Sequence, residues 1–369
     1  MDLVCISHLR WDFVFQRPQH LLTRAARERR VYYIEEPIRT ETGDPHVVAR
    51  TVSPTLTIAV PHIPADRCRS ECVQLQADLL EQFLERQGVT DYTLWLYTPM
   101  ALEFTLRLAP TTVVYDCMDE LSAFAGAPPE LVAFEQDLFS RADVVFTGGH
   151  TLYEAKRSKH PNVHSFPSSV EVEHFRRARQ CASEPQDQQA LPRPRIGFYG
   201  VIDERMDYDL LAGVASARPD WQLVLIGPTA KVNPADLPKA ANIHYLGGRT
   251  YGELPDYIGG WDVAMLPFAR NESTRFISPT KTPEYLAGGL PVVSTSIRDV
   301  VRPYGELGLA HIADTPADFV AAVERALACD RLAHCAAADE YLQHLSWDRT
   351  WTAMWDHVQR VGERRLTRV

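Results

Sequence analysis

The chain of 369 residues is long enough for two domains of ordinary size, and its 45% hydrophobic and 23% charged residues are typical of a globular protein. A net charge of −10 argues against a general nucleic-acid binder, so small molecules are the expected partners. Seven cysteines without a tight repeat, and no signal peptide or long apolar run, predict a cytoplasmic protein whose membrane contacts would be peripheral.

The first half of the chain alternates short apolar runs with helical patterns. Continuous apolar strands separated by helices are typical of a mostly parallel sheet that is buried on both faces. The predicted strands cover residues 3–7, 31–35, 92–97, 112–115, 143–147 and 163–166. The pattern predicts a first α/β domain over residues 1–175.

Residues 176–194 interrupt this alternation with charged residues, glutamines and prolines, a composition typical of a linker. The alternation then restarts, with strands predicted at 195–200, 222–227, 242–247, 262–267, 291–295 and 309–313. These strands predict a second α/β domain over residues 195–346. After Ser346, apolar residues at helical spacing predict a final helix over residues 347–369.

In open parallel sheets, ligands bind at the carboxyl ends of the strands, and two facing domains would share a cleft there. The loop after the first strand and the helix start behind it carry polar residues at such a position. They either recognise a polar ligand or form an ordinary surface loop. The candidates are His8, Arg17, Gln19 and His20.

Asp116 and Asp119 directly follow another predicted strand. A carboxylate at this place could act as a base, orient a hydroxyl or bind a metal, and Asp119 could instead cap the next helix. Two carboxylates without a histidine or a third acid seldom hold a divalent ion, so no metal site is expected.

In the second domain, Gly200 and Gly227 end the first two strands, and Arg205 follows in the loop before a helix. An arginine beside a helix start at a strand's carboxyl end is a candidate phosphate ligand. The alternative is an ion pair with a neighbouring aspartate or glutamate.

The most informative stretch, SPTKTPEYLAGG at 278–289, leads from a loop into a short helix. Pro279 has no N–H, but the N–H groups of Ser278, Thr280 and the following turn, together with the helix dipole and Lys281, favour a phosphate at the helix start. Glu284 lies in the first turn, where a carboxylate could accept hydrogen bonds from the two hydroxyls of a ribose. Phosphate and ribose together predict a nucleotide.

These segments together resemble retaining glycosyltransferases of the GT-B architecture, in the large family often called glycosyltransferase family 4, also described as glycosyltransferase family 1. Within it, the sequence is most similar to bacterial teichuronic-acid-type and related surface-polysaccharide enzymes. The similarity covers nearly the whole chain. It includes QRPQHLL (16–22), VVYDCMDELSAFAGAP (113–128), HPNVHSFPSSVEVEHF (160–175), IGFYGVIDERMDYDLL (196–211) and RFISPTKTPEYLAGGLPVVST (275–295).

The resemblance implies a role for several residues. The family's ribose-binding glutamate corresponds to Glu284, and its basic diphosphate ligands correspond to Arg205 and Lys281. The segment around Asp119 corresponds loosely to a catalytic region, in which this residue would orient hydroxyls of donor or acceptor. The family's E-x7-E motif is incomplete.

Phe276 stands eight positions before Glu284, where relatives have the first glutamate. Glu272, in the preceding loop, is the alternative source of a carboxylate for the donor sugar. Donor recognition is therefore expected to depend on the loop 271–276.

The resemblance also implies the fold and function. We expect two Rossmann-like α/β domains facing across a cleft, with the final helix crossing back to the N-terminal, acceptor-side domain. The expected activity is metal-independent, retaining transfer from a nucleotide sugar, preferably UDP-linked, to a glycan or lipid-linked acceptor, without a cofactor, at the inner membrane face or in the cytoplasm. The alternatives are a nucleotide-sugar epimerase or hydrolase and a non-catalytic scaffold of a polysaccharide assembly complex.

Overall fold

The computed structural model describes residues 1–180 and 184–366. Residues 181–183 of the predicted linker and 367–369 of the predicted final helix lie outside the described residues. The chain divides into two compact units. The first contains Met1–Pro167 and Asp348–Val369, and the second contains Ser168–Trp347.

The first unit is built on a mostly parallel sheet. Its strands are β1 Asp2–Ile6, β2 Val31–Ile34, β3 Ile38–Thr40, β4 His46–Ser53, β5 Leu56–Pro64, β6 Tyr92–Leu96, β7 Thr112–Cys117, β8 Val144–Thr147 and β9 Val163–Ser165. They lie in the order β3-β5-β2-β1-β6-β7-β8-β9, and β4 pairs antiparallel with β5. The buried strands β1, β2, β6, β7 and β8, and the half-buried β9, confirm the prediction from apolar runs.

Strands β3, β4 and β5 were not predicted. Most of β4 is exposed, so its sequence HVVARTVS has no continuous apolar run that would mark a buried strand. Within Met1–Pro167, the α-helices of the first unit are α1 Arg17–Ala25, α2 Arg69–Arg86, α3 Leu102–Thr105, α4 Leu131–Arg141 and α5 His150–Lys156. Pro18 lies in the first turn of α1, where its missing N–H costs no hydrogen bond.

The second unit contains a fully parallel sheet with the strand order β12-β11-β10-β13-β14-β15. Its strands are β10 Arg195–Tyr199, β11 Gln222–Ile226, β12 Ile243–Tyr245, β13 Val263–Leu266, β14 Val292–Ser294 and β15 Ala310–Ile312. The helices are α6 Val172–Arg176, α7 Gln186–Gln189, α8 Tyr208–Ala217, α9 Leu254–Ile258, α10 Lys281–Ala287, α11 Arg298–Val300, α12 Pro316–Leu327 and α13 Arg331–Leu342. This strand order is that of a Rossmann-like domain, and the predicted α/β fold is confirmed.

The structure divides the chain after Pro167, whereas we expected the division after residue 175. The described part of the predicted linker 176–194 is packed into the second unit rather than extended. Arg179 forms two hydrogen bonds of 2.8 Å to the carboxylate of Asp339, and the buried Gln188 donates to the carbonyl of Tyr257 at 2.9 Å. Polar composition misled the prediction because these polar side chains find partners within the unit.

The final helix, α14 Trp347–Leu366, packs on the first unit as predicted. Its Trp351 ring lies 6.0 Å from the buried ring of Trp95 in β6, and the guanidinium of Arg29 lies 3.7 Å from the ring centre of Trp355. Aromatic and cation–π contacts therefore attach its apolar face to the sheet. No helix among the described residues is both long and apolar enough to cross a membrane.

A buried ion pair joins α1 to the end of β7. Arg17 and Asp116 are only 2% and 0% exposed, and their side chains meet through hydrogen bonds of 2.9 and 3.1 Å. Arg17 also donates to the carbonyl of Phe166 at 2.7 Å. We expected Arg17 and Asp116 to face a ligand. This expectation is corrected, because the two side chains pair with each other inside the core.

Replacing Asp116 by alanine is expected to destabilise the first unit strongly, because it leaves the guanidinium of Arg17 buried without its counter-charge. The expected loss is about 3–5 kcal/mol in the free energy of unfolding. The matched control is Asp12→Ala, which removes the exposed pair between Asp12 and Arg50 and should cost less than about 1 kcal/mol. Urea unfolding followed by tryptophan fluorescence measures both. Equal stability of the two variants would contradict a structural role for the buried pair.

Candidate functional site

The carboxyl ends of β10 and β11 meet at two glycines in the second unit. Gly200 and Gly227 both have positive φ angles, of 141° and 147°. A methyl group built on Gly227 would lie 1.8 Å from the carbonyl oxygen of Gly200, and one built on Gly200 would lie 2.3 Å from Cε of Lys281. The two turns can therefore pack together, and Lys281 can lie across them, only without side chains at these positions.

Glu284 lies in the first turn of α10 and is only 4% exposed. Its carboxylate oxygen Oε2 accepts a short hydrogen bond from the hydroxyl of Tyr199, the last residue of β10. Burial raises the pKa of Glu284 to about 7, and the nearby Glu171 adds to the rise, whereas the Tyr199 hydrogen bond and the positive charge of Lys281 oppose it. Near neutral pH this side chain can therefore exist with or without its proton.

Arg205 is oriented by a neighbouring carboxylate, which is the ion-pair alternative considered from the sequence. Its guanidinium bonds to both oxygens of the buried Asp203, with Nε at 3.0 Å from each and Nη2 at 2.6 Å from Oδ2. The backbone carbonyl of Arg205 accepts a hydrogen bond of 2.8 Å from Ala269, after β13. This loop is thereby attached to the carboxyl end of β13, and Asp203 offsets part of the arginine's charge.

The segment before α10 is half-buried at Ser278, Pro279 and Thr280, as their place at a candidate site requires. Helix α10 has only seven residues, so its dipole supplies less positive potential than the sequence suggested. At the start of α10 the positive charge therefore comes mainly from the side chain of Lys281.

Glu272 is a poor candidate for the missing carboxylate. Its side chain is 74% exposed and lies 3.6 Å from that of Arg275. Asn271 folds the loop into a compact turn by accepting hydrogen bonds from the Ser273 hydroxyl at 2.7 Å and the Thr274 amide at 3.1 Å. The turn directs Glu272 into solvent, so the expectation of a donor-sugar contact from this residue is corrected.

In the first unit, Gln19 and His20 are also buried in α1. Gln19 donates to the carbonyl of Trp11 at 2.7 Å and accepts from the amide of Gln16, so it fixes the loop before the helix. His8 and Asp119 remain half-buried. The helical turn that follows Asp119 begins after Glu120, so Asp119 is not its N-cap.

A cavity of about 320 Å³ opens at the carboxyl ends of β1, β2 and β6 in the first unit. It has a mixed lining of carboxylate, amide, hydroxyl, guanidinium and apolar groups. Its polar lining residues are Ser7, Glu35, Glu36, Arg39, Gln76, Thr98 and Glu103. Such convergent polar groups in a concave site suit a ligand with many hydroxyls.

The sequence interpretation missed Tyr199, Asp203 and this cavity. Tyr199 is the last residue of an apolar strand, and only the position directly before Gly200 could have signalled it. Asp203 lies two residues before Arg205, and the sequence indicated only that some neighbouring aspartate or glutamate could pair with that arginine. Among the described residues, no group of three or more His, Cys, Asp or Glu side chains could hold a metal ion.

Part of the chain matches a known family of proteins. Residues 193–329 match the family model of glycosyl transferases group 1. A relative from Bacillus subtilis (strain 168), TuaH, which carries a provisional assignment as a teichuronic acid biosynthesis glycosyltransferase, is 27% identical over 232 residues. This match covers 58% of the present chain and 58% of the relative's length.

Solved structures share the fold over nearly the whole chain. Sucrose-phosphate synthase from Thermosynechococcus elongatus matches with a TM-score of 0.72 and 15% identity, covering 98% of both chains. An E. coli trehalose-6-phosphate protein bound with UDP-2-fluoro glucose matches with a TM-score of 0.69 and 13% identity, covering 97% of this chain and 99% of its own. Residues 193–329 are therefore a domain of the glycosyl transferases group 1 family, carried by a chain with the GT-B fold.

Proposed function

We propose that this protein is a glycosyltransferase that moves a sugar from a UDP-sugar to a carbohydrate or lipid-linked acceptor, with retention and without a metal ion. The observation that carries the proposal is the buried carboxylate of Glu284 beside Lys281 at the carboxyl ends of β10 and β11. These residues lie inside the segment that matches glycosyl transferases group 1.

Glu284 would bind the ribose of the nucleotide. A carboxylate can accept hydrogen bonds from both hydroxyls of a vicinal diol, and burial strengthens each bond because water does not compete. The match to an E. coli protein bound with UDP-2-fluoro glucose supports uracil as the base.

Lys281 and Arg205 would bind the diphosphate. The Lys281 side chain lies over Gly200, where the absence of a Cβ leaves room for it. Asp203 fixes the guanidinium of Arg205 in one orientation, so little conformational entropy is lost when a phosphate binds. Two positive side chains aimed at a leaving diphosphate would stabilise its developing charge without a cation.

Retention would follow from reaction on one face of the sugar. The bond between the anomeric carbon and the diphosphate oxygen breaks as the acceptor oxygen bonds to the same carbon from the same side. The acceptor proton passes to the departing phosphate oxygen, so no enzyme nucleophile is required.

The acceptor would bind in the cavity of the first unit that contains Glu36, Gln76 and Glu103. Carboxylate and amide groups accept hydrogen bonds from sugar hydroxyls, and the acidic lining disfavours a phosphorylated acceptor. The name of the B. subtilis relative supports a role in surface polysaccharide or glycoconjugate synthesis. Peripheral contact with the inner membrane face stays a prediction.

Calorimetry with UDP tests the ribose contact. The wild type should bind UDP more tightly than GDP, and Glu284→Ala should weaken UDP binding about 10- to 100-fold because a buried charged acceptor is lost. The matched control is Glu272→Ala, which removes an exposed glutamate from the neighbouring turn and should bind like the wild type. Absence of UDP and GDP binding to the wild type would instead favour a non-catalytic scaffold.

A reaction assay tests the chemistry. UDP-, GDP- and ADP-sugars are incubated with and without a panel of mono- and disaccharide acceptors, in the presence of EDTA, and the anomeric configuration of the product is read by NMR. We expect acceptor-dependent, retained product with a UDP-sugar, and a rate lowered about 100- to 1,000-fold in Lys281→Ala. Full conversion to an epimer or free sugar without acceptor, or an inverted product, would contradict the proposal.

Variants of the cavity test the acceptor side. With the acceptor that supports transfer, Glu36→Ala and Gln76→Ala should each raise the acceptor KM about fivefold or more, because hydrogen bonds to its hydroxyls are lost. The donor KM should not change. Glu41→Ala, an exposed glutamate outside the cavity, is the matched control. Unchanged acceptor KM in both cavity variants would mean that the acceptor binds elsewhere.

A further inference from the structure

Tyr199 connects the end of the central strand β10 to the carboxylate of Glu284. Its hydroxyl donates to Oε2 of that carboxylate, although 85 positions separate the two residues in sequence. Both side chains are buried. A phenol and a carboxylate buried together form a charge-assisted hydrogen bond that is stronger than a bond between neutral groups.

The ring of Tyr199 is held by aromatic neighbours on several sides. Phe175 stacks on it with 9° between the ring planes and 6.3 Å between the centres, and Tyr285 contacts it edge-on at 5.1 Å. Trp261 lies against it at 6.5 Å. The amide of Tyr199 donates to the hydroxyl of Tyr285 at 3.0 Å, which also fixes the backbone. The direction in which Tyr199 presents its hydroxyl is therefore set by packing rather than by the ligand.

A glutamate carboxylate that lacked such a partner could rotate about its last side-chain bond. A donor on Oε2 fixes the plane of the group and leaves Oε1, with the outer lone pair of Oε2, to accept further hydrogen bonds. We propose, resting on the function proposed above, that Tyr199 is a positioning residue whose hydroxyl orients the Glu284 carboxylate for the two ribose hydroxyls of the nucleotide.

The same hydrogen bond should also control when Glu284 is ionised. The charged and titratable groups that face Glu284 are Lys281 on α10, Glu171 before α6, and Tyr199. The pKa of Tyr199 is in turn raised by Tyr285 and Tyr251. Burial raises the pKa of Glu284 to about 7, and donation by Tyr199 holds it below the value that burial alone would give. Only the ionised Glu284 carboxylate can accept hydrogen bonds from both ribose hydroxyls. Nucleotide affinity should therefore fall as the pH decreases through the pKa of Glu284.

A purely structural role for Tyr199 makes a different prediction. If its hydroxyl only satisfied a buried polar group, its removal would lower stability without moving the pH at which affinity is half-maximal. The pH profile of binding therefore separates positioning from packing.

The test is UDP binding by calorimetry from about pH 6 to about pH 9, the range that brackets the titration of Glu284. The proteins are the wild type, Tyr199→Phe and, as the control, Tyr304→Phe, which removes the hydroxyl of a buried tyrosine elsewhere in the second unit. The ionisation of UDP itself is common to all three and cancels in their comparison. We expect Tyr199→Phe to bind about five- to tenfold more weakly near neutral pH, to shift the midpoint to higher pH, and to recover affinity in alkaline solution.

Tyr304→Phe should keep the midpoint of the wild type, because its ring packs against Tyr341. A Tyr199→Phe midpoint equal to that of the wild type would overturn the inference while leaving nucleotide binding itself intact. Absence of UDP binding to the wild type would overturn both the inference and the proposed function. Glu284→Gln provides a second variant that does not depend on the folding of Tyr199→Phe. It should bind weakly and follow only the ionisation of UDP, and a wild-type pH dependence in this variant would also overturn the inference.

Discussion

A carboxylate buried at the end of a parallel sheet must be neutralised, hydrogen-bonded or both, and Glu284 is in this position. The bond from Tyr199 and the charge of Lys281 oppose the cost of its burial, but the pKa still rises to about 7. A side chain that is expensive to bury and only partly compensated is typical of a functional site rather than of a core. The hydroxyl of Tyr199 and the charge of Lys281 both act on this one group.

The second sheet explains how these groups come together. β10 lies between β11 and β13, so the residues after these strands meet at one edge although they are far apart in sequence. Gly200 and Gly227 allow the close approach of two turns, and Lys281 reaches over them from α10. In the first unit the corresponding edge of the sheet provides a cavity, while Arg17 and Asp116 pair with each other in the core.

The sequence predicted those features that depend on residues close together in the chain. Buried parallel strands appear as continuous apolar runs, so the second sheet, six of the nine strands described in the first sheet, and the final helix were predicted within a few residues. Exposed β4 carries no such run, and the polar segment around Arg179 resembled a linker because its partner Asp339 is 160 positions away. Arg17 and Asp116 were assigned to a ligand because a pair separated by 99 positions is not visible in one sequence. Glu284 and Lys281 were proposed as site residues from their place at a helix start, whereas Tyr199 was not, because its hydrogen bond to Glu284 arises only from packing.

The most direct measurement is a crystal structure of the protein with UDP bound. The account predicts that the ribose hydroxyls lie within about 2.6–3.2 Å of the Glu284 carboxylate, with Tyr199 still donating to Oε2 and the diphosphate against Lys281. UDP bound away from Glu284, or a ribose without contact to this carboxylate, would contradict the assignment of the second unit as the nucleotide-sugar site.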